Sequence, residues 1–133
     1  MSNNTYAREW LTLAERNLET ARLLIRENHF TDIIAIELQQ VLEKCFKSVF
    51  ALRGEKIPKT HSLQLLYEFV VENCDIGDGL SIEDLVTISD YYESERYPGP
   101  KYYLPTDIEV SNYFEIIENV FSTIKEYIAT IED

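Results

Sequence analysis

Apolar residues recur three and four positions apart along most of the chain, a spacing that predicts helices rather than strands. Tyr6, Trp10, Leu13, Ala14, Leu18, Ala21, Leu24 and Ile25 mark a first helix over about residues 5–27. A second, over about 31–53, is apolar on several sides, through Ile33, Ile34, Ile36, Leu38, Val41, Leu42, Cys45, Phe46, Val49, Phe50 and Leu52. A helix apolar most of the way round belongs at the centre of a bundle or against a second partner. Its polar stripe is Glu37, Gln40, Glu43, Lys44 and Lys47, and Gly54 supplies its C-terminal stop. Leu63, Leu65, Leu66, Phe69 and Val70 mark a third helix over about 61–73.

Two helix starts are written as capping boxes, with a hydroxyl and an acid three residues apart. Ser81-Ile82-Glu83-Asp84 opens a fourth helix that reaches Tyr91-Tyr92 or a little beyond, and Thr106-Asp107-Ile108-Glu109 opens a fifth. The fifth carries the cleanest period: Val110, Tyr113, Phe114, Ile117, Val120, Phe121, Ile124, Tyr127, Ile128 and Ile131. Tyr97-Pro98-Gly99-Pro100 must interrupt the chain between them. Short connections favour antiparallel neighbours. The expectation is an all-α, five-helix up-and-down bundle forming one domain over residues 1–133, with an irregular Arg-Tyr-Pro loop before the last helix.

Length and composition agree with that picture: 133 residues, 45 % hydrophobic, suffice for one core. Two cysteines exclude a disulfide scaffold. In an intracellular protein, Cys45 and Cys74 are then expected to be reduced, buried thiols. No apolar run approaches the roughly 20 residues of a membrane span, and the N-terminus lacks a signal-peptide pattern, so a cytoplasmic protein is expected.

Charge changes the picture more. The net charge is −12. Nine bases and eight acids lie before Ser62, but three bases and sixteen acids lie after it. Such a surface opposes nonspecific polyanion binding. Any polyanion contact must use the N-terminal half or the small basic island at Arg96 and Lys101.

Candidate chemistry is sparse. There is no His-Glu-x-x-His, no Cys/His cluster, no phosphate-cradling glycine loop and no serine elbow, so no metal or cofactor is expected. Asp75-Ile76-Gly77-Asp78-Gly79 lacks the ligand pattern of a calcium loop and reads as a turn. His61 either fixes its own loop by hydrogen bonding or joins a cationic patch with Arg53, Lys56 and Lys59 at the start of the third helix. Residues 91–103 hold five tyrosines with Arg96 and Lys101. Those rings either pack the loop onto the bundle or stack on bases.

These stretches resemble the HEPN family, the higher eukaryotes and prokaryotes nucleotide-binding domain. The resemblance covers most of the chain. It rests on Trp10, Ala14, Asn17, Leu18, Ala21 and Leu24 in the first helix, and on the run from Gln39 to Val49 in the second, with its Gln and Glu-Lys pair on one face. It continues through Pro58-Lys59-Thr60-His61-Ser62-Leu63 with Leu66, and through Arg96-Tyr97-Pro98. It implies a homodimer, often encoded beside a minimal nucleotidyltransferase, and in many members a metal-independent RNase toxin of a toxin–antitoxin pair. The RNase motif is an Arg followed after four to six residues by a His. Here Arg96 stands as the candidate catalytic residue, but those spacings fall on Lys101, Tyr102 and Tyr103. Without a His, loss of general acid–base catalysis alone costs on the order of 10²–10⁴ in rate.

The primary expectation is therefore a nucleotide- or RNA-binding homodimeric partner of a nucleotidyltransferase, with Arg96, Lys101, Tyr97, Tyr103, His61 and Lys59 as its anion- or nucleotide-binding residues. The alternatives are an RNase toxin, in which His61 supplies the missing imidazole from another part of the fold, and a non-catalytic oligomerisation module. By resemblance to a toxin subgroup, Tyr103, two residues past Lys101, stands where the partner's nucleotidylation target would lie.

Overall fold

The structure, a computed structural model, describes residues 2–77, 79–96 and 104–131, with residues 94–96 described as backbone only. Five helices follow in order: α1 (Asn3–Arg26), α2 (Thr31–Leu52), α3 (Leu63–Asn73), α4 (Ile82–Arg96) and α5 (Asp107–Thr130). They form the expected bundle, and no strand occurs among the described residues. Of the sites foreseen from the sequence, Tyr97, Lys101, Tyr102 and Tyr103 lie outside the described residues, and Arg96 is described only as the last backbone position of α4.

α2 is the central helix and packs against all four others. Phe46, Leu38, Leu42, Val41, Cys45 and Val49 are almost wholly withdrawn from solvent, within a core to which every helix contributes. Each such large side chain contributes roughly 1.5–3 kcal/mol through burial.

α1 buries most of the expected stripe, with Trp10, Leu24 and Ile25 packed against the core, but two of its large residues stay outside. Ala7, Leu11, Ala14, Leu18 and Ala21 face the core, while Tyr6 and Leu13 are exposed. Three alanines with no side chain beyond Cβ allow a close approach to α2, so the smaller residues take the inside. α1 also begins earlier than its apolar period. Ser2 Oγ accepts the Thr5 N–H at 3.1 Å, and buried Asn4 donates to the Ile131 carbonyl at 2.8 Å and the Ile128 carbonyl at 3.2 Å. A polar residue thus closes the end of α5.

The helix ends follow their local chemistry. After α2, the Glu55 N–H reaches the Phe50 carbonyl at 3.0 Å and the Gly54 N–H reaches the Ala51 carbonyl at 3.1 Å. This Schellman closure needs a left-handed residue, and Gly54 has φ +69°. After α1 the same closure is made by Asn28, at φ +52°. The capping box at α4 is reciprocal: the Asp84 N–H donates to Ser81 Oγ and the Ser81 N–H to Asp84 Oδ2, both at 3.0 Å. At α5 the Glu109 N–H donates to Thr106 Oγ1 at 3.0 Å, and the Glu109 carboxylate accepts from the Tyr91 hydroxyl. Among the described residues, no helix is long and apolar enough to cross a membrane.

Candidate functional site

Gln39, Glu43 and Lys47 stand four residues apart on α2 and so share one face. That face is turned inward. The Glu43 and Lys47 side chains are only 7 % and 9 % exposed, and Lys47 Nζ lies 3.1 Å from Glu43 Oε2. Lys47 Nζ also sits 5.9 Å from the centre of the Trp10 ring. The expected polar stripe of α2 is therefore partly an internal feature. Two other members, Glu37 and Lys44, bind across to α1, where Asn17 donates to Glu37 Oε2 at 2.6 Å and accepts from Lys44 Nζ at 2.7 Å.

The second oxygen of Glu43 leads outward. Oε1 accepts from Gln39 Nε2 at 3.0 Å and lies 2.8 Å from Nδ1 of His61. Gln39 is itself held by Gln40, whose Nε2 donates to Gln39 Oε1 at 2.6 Å. Burial opposes the charge on Glu43. Hydrogen bonds from Gln39 and His61 and the charge of Lys47 outweigh it and hold the carboxyl below its ordinary value. An ionised carboxylate only accepts, so the bridging proton belongs to His61 Nδ1. The contact with Glu43 is thus made through Nδ1 and not through Nε2.

His61 is half-exposed. It does not begin α3; it precedes it, and its ring is fixed by a carboxylate of α2 rather than by nearby backbone. One face of the imidazole stacks on Tyr92 of α4, with ring centres 4.0 Å apart and planes inclined by 21°. The pair lies beside a groove of about 430 Å³. Lys59, Thr60 and Ser62 line it from the α2–α3 loop, Gln64 from α3, and Ser89, Asp90 and Glu93 from α4. Ser89 Oγ accepts the Leu63 N–H at 3.0 Å and donates to Gln64 Oε1 at the same distance. This contact from α4 closes the start of α3.

Two of the foreseen site residues, His61 and Lys59, thus meet in one groove. The wider cationic patch does not assemble around them. Arg53, at the C-terminal end of α2, donates to the Tyr127 hydroxyl, and its guanidinium lies 5.7 Å from that ring's centre. The backbone of Arg96 lies one helical turn beyond Tyr92, about 6 Å along α4. Of the tyrosine-rich segment, Tyr91 packs: it is 4 % exposed and meets Tyr113 edge-on. The contributions of Gln64 and Ser89 carried no signal in the sequence. Those of Glu43 and Lys47 had one, an opposite-charge pair four residues apart on a helix apolar on several sides.

Cys45 is buried and its thiol is pushed up by that burial; Cys74 is raised by burial and by neighbouring Asp75. Neither is a poised nucleophile.

Comparison with known proteins agrees with the resemblance in the sequence. The protein named "Putative toxin MJ1304" of Methanocaldococcus jannaschii is 27 % identical over 95 % of this chain and 90 % of its own length. The crystal structure of TT1696 from Thermus thermophilus superposes with a TM-score of 0.73 at 23 % identity, covering 91 % of this chain and 97 % of that one. That of ST0689, described as an archaeal HEPN homologue, gives a TM-score of 0.66 at 18 % identity, covering 92 % and 97 %. At those identities the two structures speak for the fold. The family model for the HEPN domain matches residues 7–127, and with the bundle, the Gln39–Glu43 face and the His61 loop in place, the chain belongs to the HEPN domain family.

Proposed function

We propose that this protein binds nucleotide or RNA phosphate as a homodimeric HEPN subunit working beside a minimal nucleotidyltransferase. The observation that carries the reading is His61: half-exposed, oriented by a buried carboxylate, stacked on Tyr92, and set in a groove that Lys59 shares. An imidazole held this rigidly presents Nε2 in a fixed direction, which a ligand site requires and a surface loop does not. Arg96, Lys101, Tyr97 and Tyr103 complete the site in this reading, as further charge and as stacking surface. Calorimetric titration with nucleotide and with short RNA tests it. Arg96→Ala and His61→Ala are expected to weaken binding about tenfold each; unchanged affinity in both removes the site.

The relative named a toxin favours a second reading, metal-independent RNA cleavage. His61 then supplies the imidazole that the spacing after Arg96 lacks. Incubation with RNA in the presence of a chelator should yield cleavage that Arg96→Ala and His61→Ala abolish. Absence of cleavage at high protein concentration ends this reading and leaves the first.

A further inference from the structure

α1 and α5 run antiparallel: Asn4 binds the Ile128 and Ile131 carbonyls at one end of the pair, and Arg22 binds Glu118 towards the other. At the level of Arg22 the seam between the helices is closed. The guanidinium lies 5.4 Å from the centre of the Phe114 ring and pairs across to Glu118. One heptad away the same positions recur with their charges exchanged. Glu15 stands seven residues before Arg22, and Phe121 and Lys125 stand seven residues after Phe114 and Glu118. Here the seam is open. Among the described residues Glu15 and Lys125 form no ion pair, and both line a groove of about 350 Å³. Its floor is apolar, from buried Leu11, Phe121 and Ile128. Lys125 Nζ is folded over that floor, 5.8 Å from the centre of the Phe121 ring. Arg8 lines the groove too, and among the described residues its guanidinium forms no ion pair. Thr12 Oγ1 donates to the Arg8 carbonyl at 3.0 Å, so towards the groove it offers only an acceptor.

We propose that this α1–α5 groove binds a medium-chain fatty acid, with the carboxylate at Arg8 and Lys125 and the alkyl chain along Leu11, Phe121 and Ile128. The site shares no helix with the His61 groove and does not rest on the reading above. The floor calls for an apolar body, since covering buried-edge apolar surface releases water and is favourable in proportion to the area covered. The size calls for a small one: about 350 Å³ stands at the lower end of small-ligand sites, and Arg8 to Glu15 spans only about 10 Å of α1. The charges call for a single negative group. Arg8 and Lys125 against Glu15 leave one positive charge in the lining, and a guanidinium fork matches a carboxylate. A ligand with more negative charge would meet Glu15 nearby and the net charge of −12 at longer range.

The test compares three probes by calorimetry: octanoate, 1-octanol, which has the chain without the charge, and acetate, which has the charge without the chain. Octanoate should bind at least tenfold tighter than either of the others. Arg8→Gln and Lys125→Gln should each weaken octanoate about fivefold and leave octanol unaffected, whereas Glu15→Gln should tighten octanoate by removing the one opposing charge. Ala129→Phe, which fills the groove from its α5 wall, should abolish binding. All four residues are exposed, so the bundle is expected to persist, and circular dichroism confirms it for each variant. Octanol binding as tightly as octanoate overturns the inference, since the groove is then apolar surface without a head-group site. Octanoate affinity unchanged in both Arg8→Gln and Lys125→Gln overturns it, as does affinity unchanged in Ala129→Phe, which would put the ligand elsewhere. No binding of octanoate at millimolar concentration overturns it as well.

Discussion

Two carboxylates on α2, Glu37 and Glu43, are held by similar partners to different ends. Glu37 accepts from Asn17, which in turn accepts from Lys44; all three are half-buried and tie α1 to α2. Glu43 is more deeply buried and also has a lysine at hand, but its other oxygen holds a half-exposed histidine in a groove. Hydrogen-bond lengths alone would not separate the two clusters. What separates them is where the last partner lies. In the first it lies on the same pair of helices, so the cluster is a fastening. In the second it lies on a loop beside a third helix, so the same chemistry orients a half-exposed ring at a groove.

Breaking the Glu43 cluster should have the largest effect. Glu43→Ala leaves Lys47 buried without its counter-charge, and such losses cost about 3–5 kcal/mol. Urea unfolding of the native protein and the variant checks this; a difference below about 1 kcal/mol would show that Lys47 reaches solvent instead. The same carboxyl predicts an acid dependence. Its value is lowered in the folded state, so its contribution is complete above the ordinary carboxylate value and is lost as pH falls through the lowered one. The stability difference between the native protein and Glu43→Gln should therefore narrow on acidification, measured by repeating the urea titration at falling pH.

Asn17→Ala probes the fastening alone. It removes two half-buried hydrogen bonds and should cost about 1–2 kcal/mol, while leaving nucleotide affinity within a factor of two. A large loss of affinity would join the two clusters into one unit. The smallest effect belongs to an exposed contact: Arg22 pairs with Glu19 and Glu118, with all three side chains more than a third exposed. Arg22→Ala should change stability by less than about 1 kcal/mol, and the change should disappear in high salt.

The helical architecture was legible because its signals are local. The hydroxyl caps at Ser81 and Thr106, the glycine after α2 and the period of α5 each report on a few neighbouring residues, and each reappears in the structure. The start of α3 was not legible. The Leu63 N–H is satisfied by Ser89, 26 residues later, and His61 is drawn to Glu43, so the helix begins at Leu63. Two positions on the buried face of α1 were misjudged for a related reason: size suggested Tyr6 and Leu13, but close packing selected Ala7 and Leu11. For the site, the sequence singled out His61 and Lys59. It did not reveal that Arg53 turns to Tyr127, or that Gln64 and Ser89 stand beside the imidazole, because those are contacts between helices.

The bond from Asn4 to the last carbonyls of α5 has a consequence for how the chain could be rewired. It brings the first turn of the bundle beside the final one, while the turn at 27–30 is exposed on every residue. A circular permutant of residues 2–131 opened at that turn, with Ser2 and Ile131 joined by a short linker, would keep each helix pairing while synthesising α2 first and α1 last. The central helix would then emerge before any of its neighbours, and the order of assembly could be altered without changing the product.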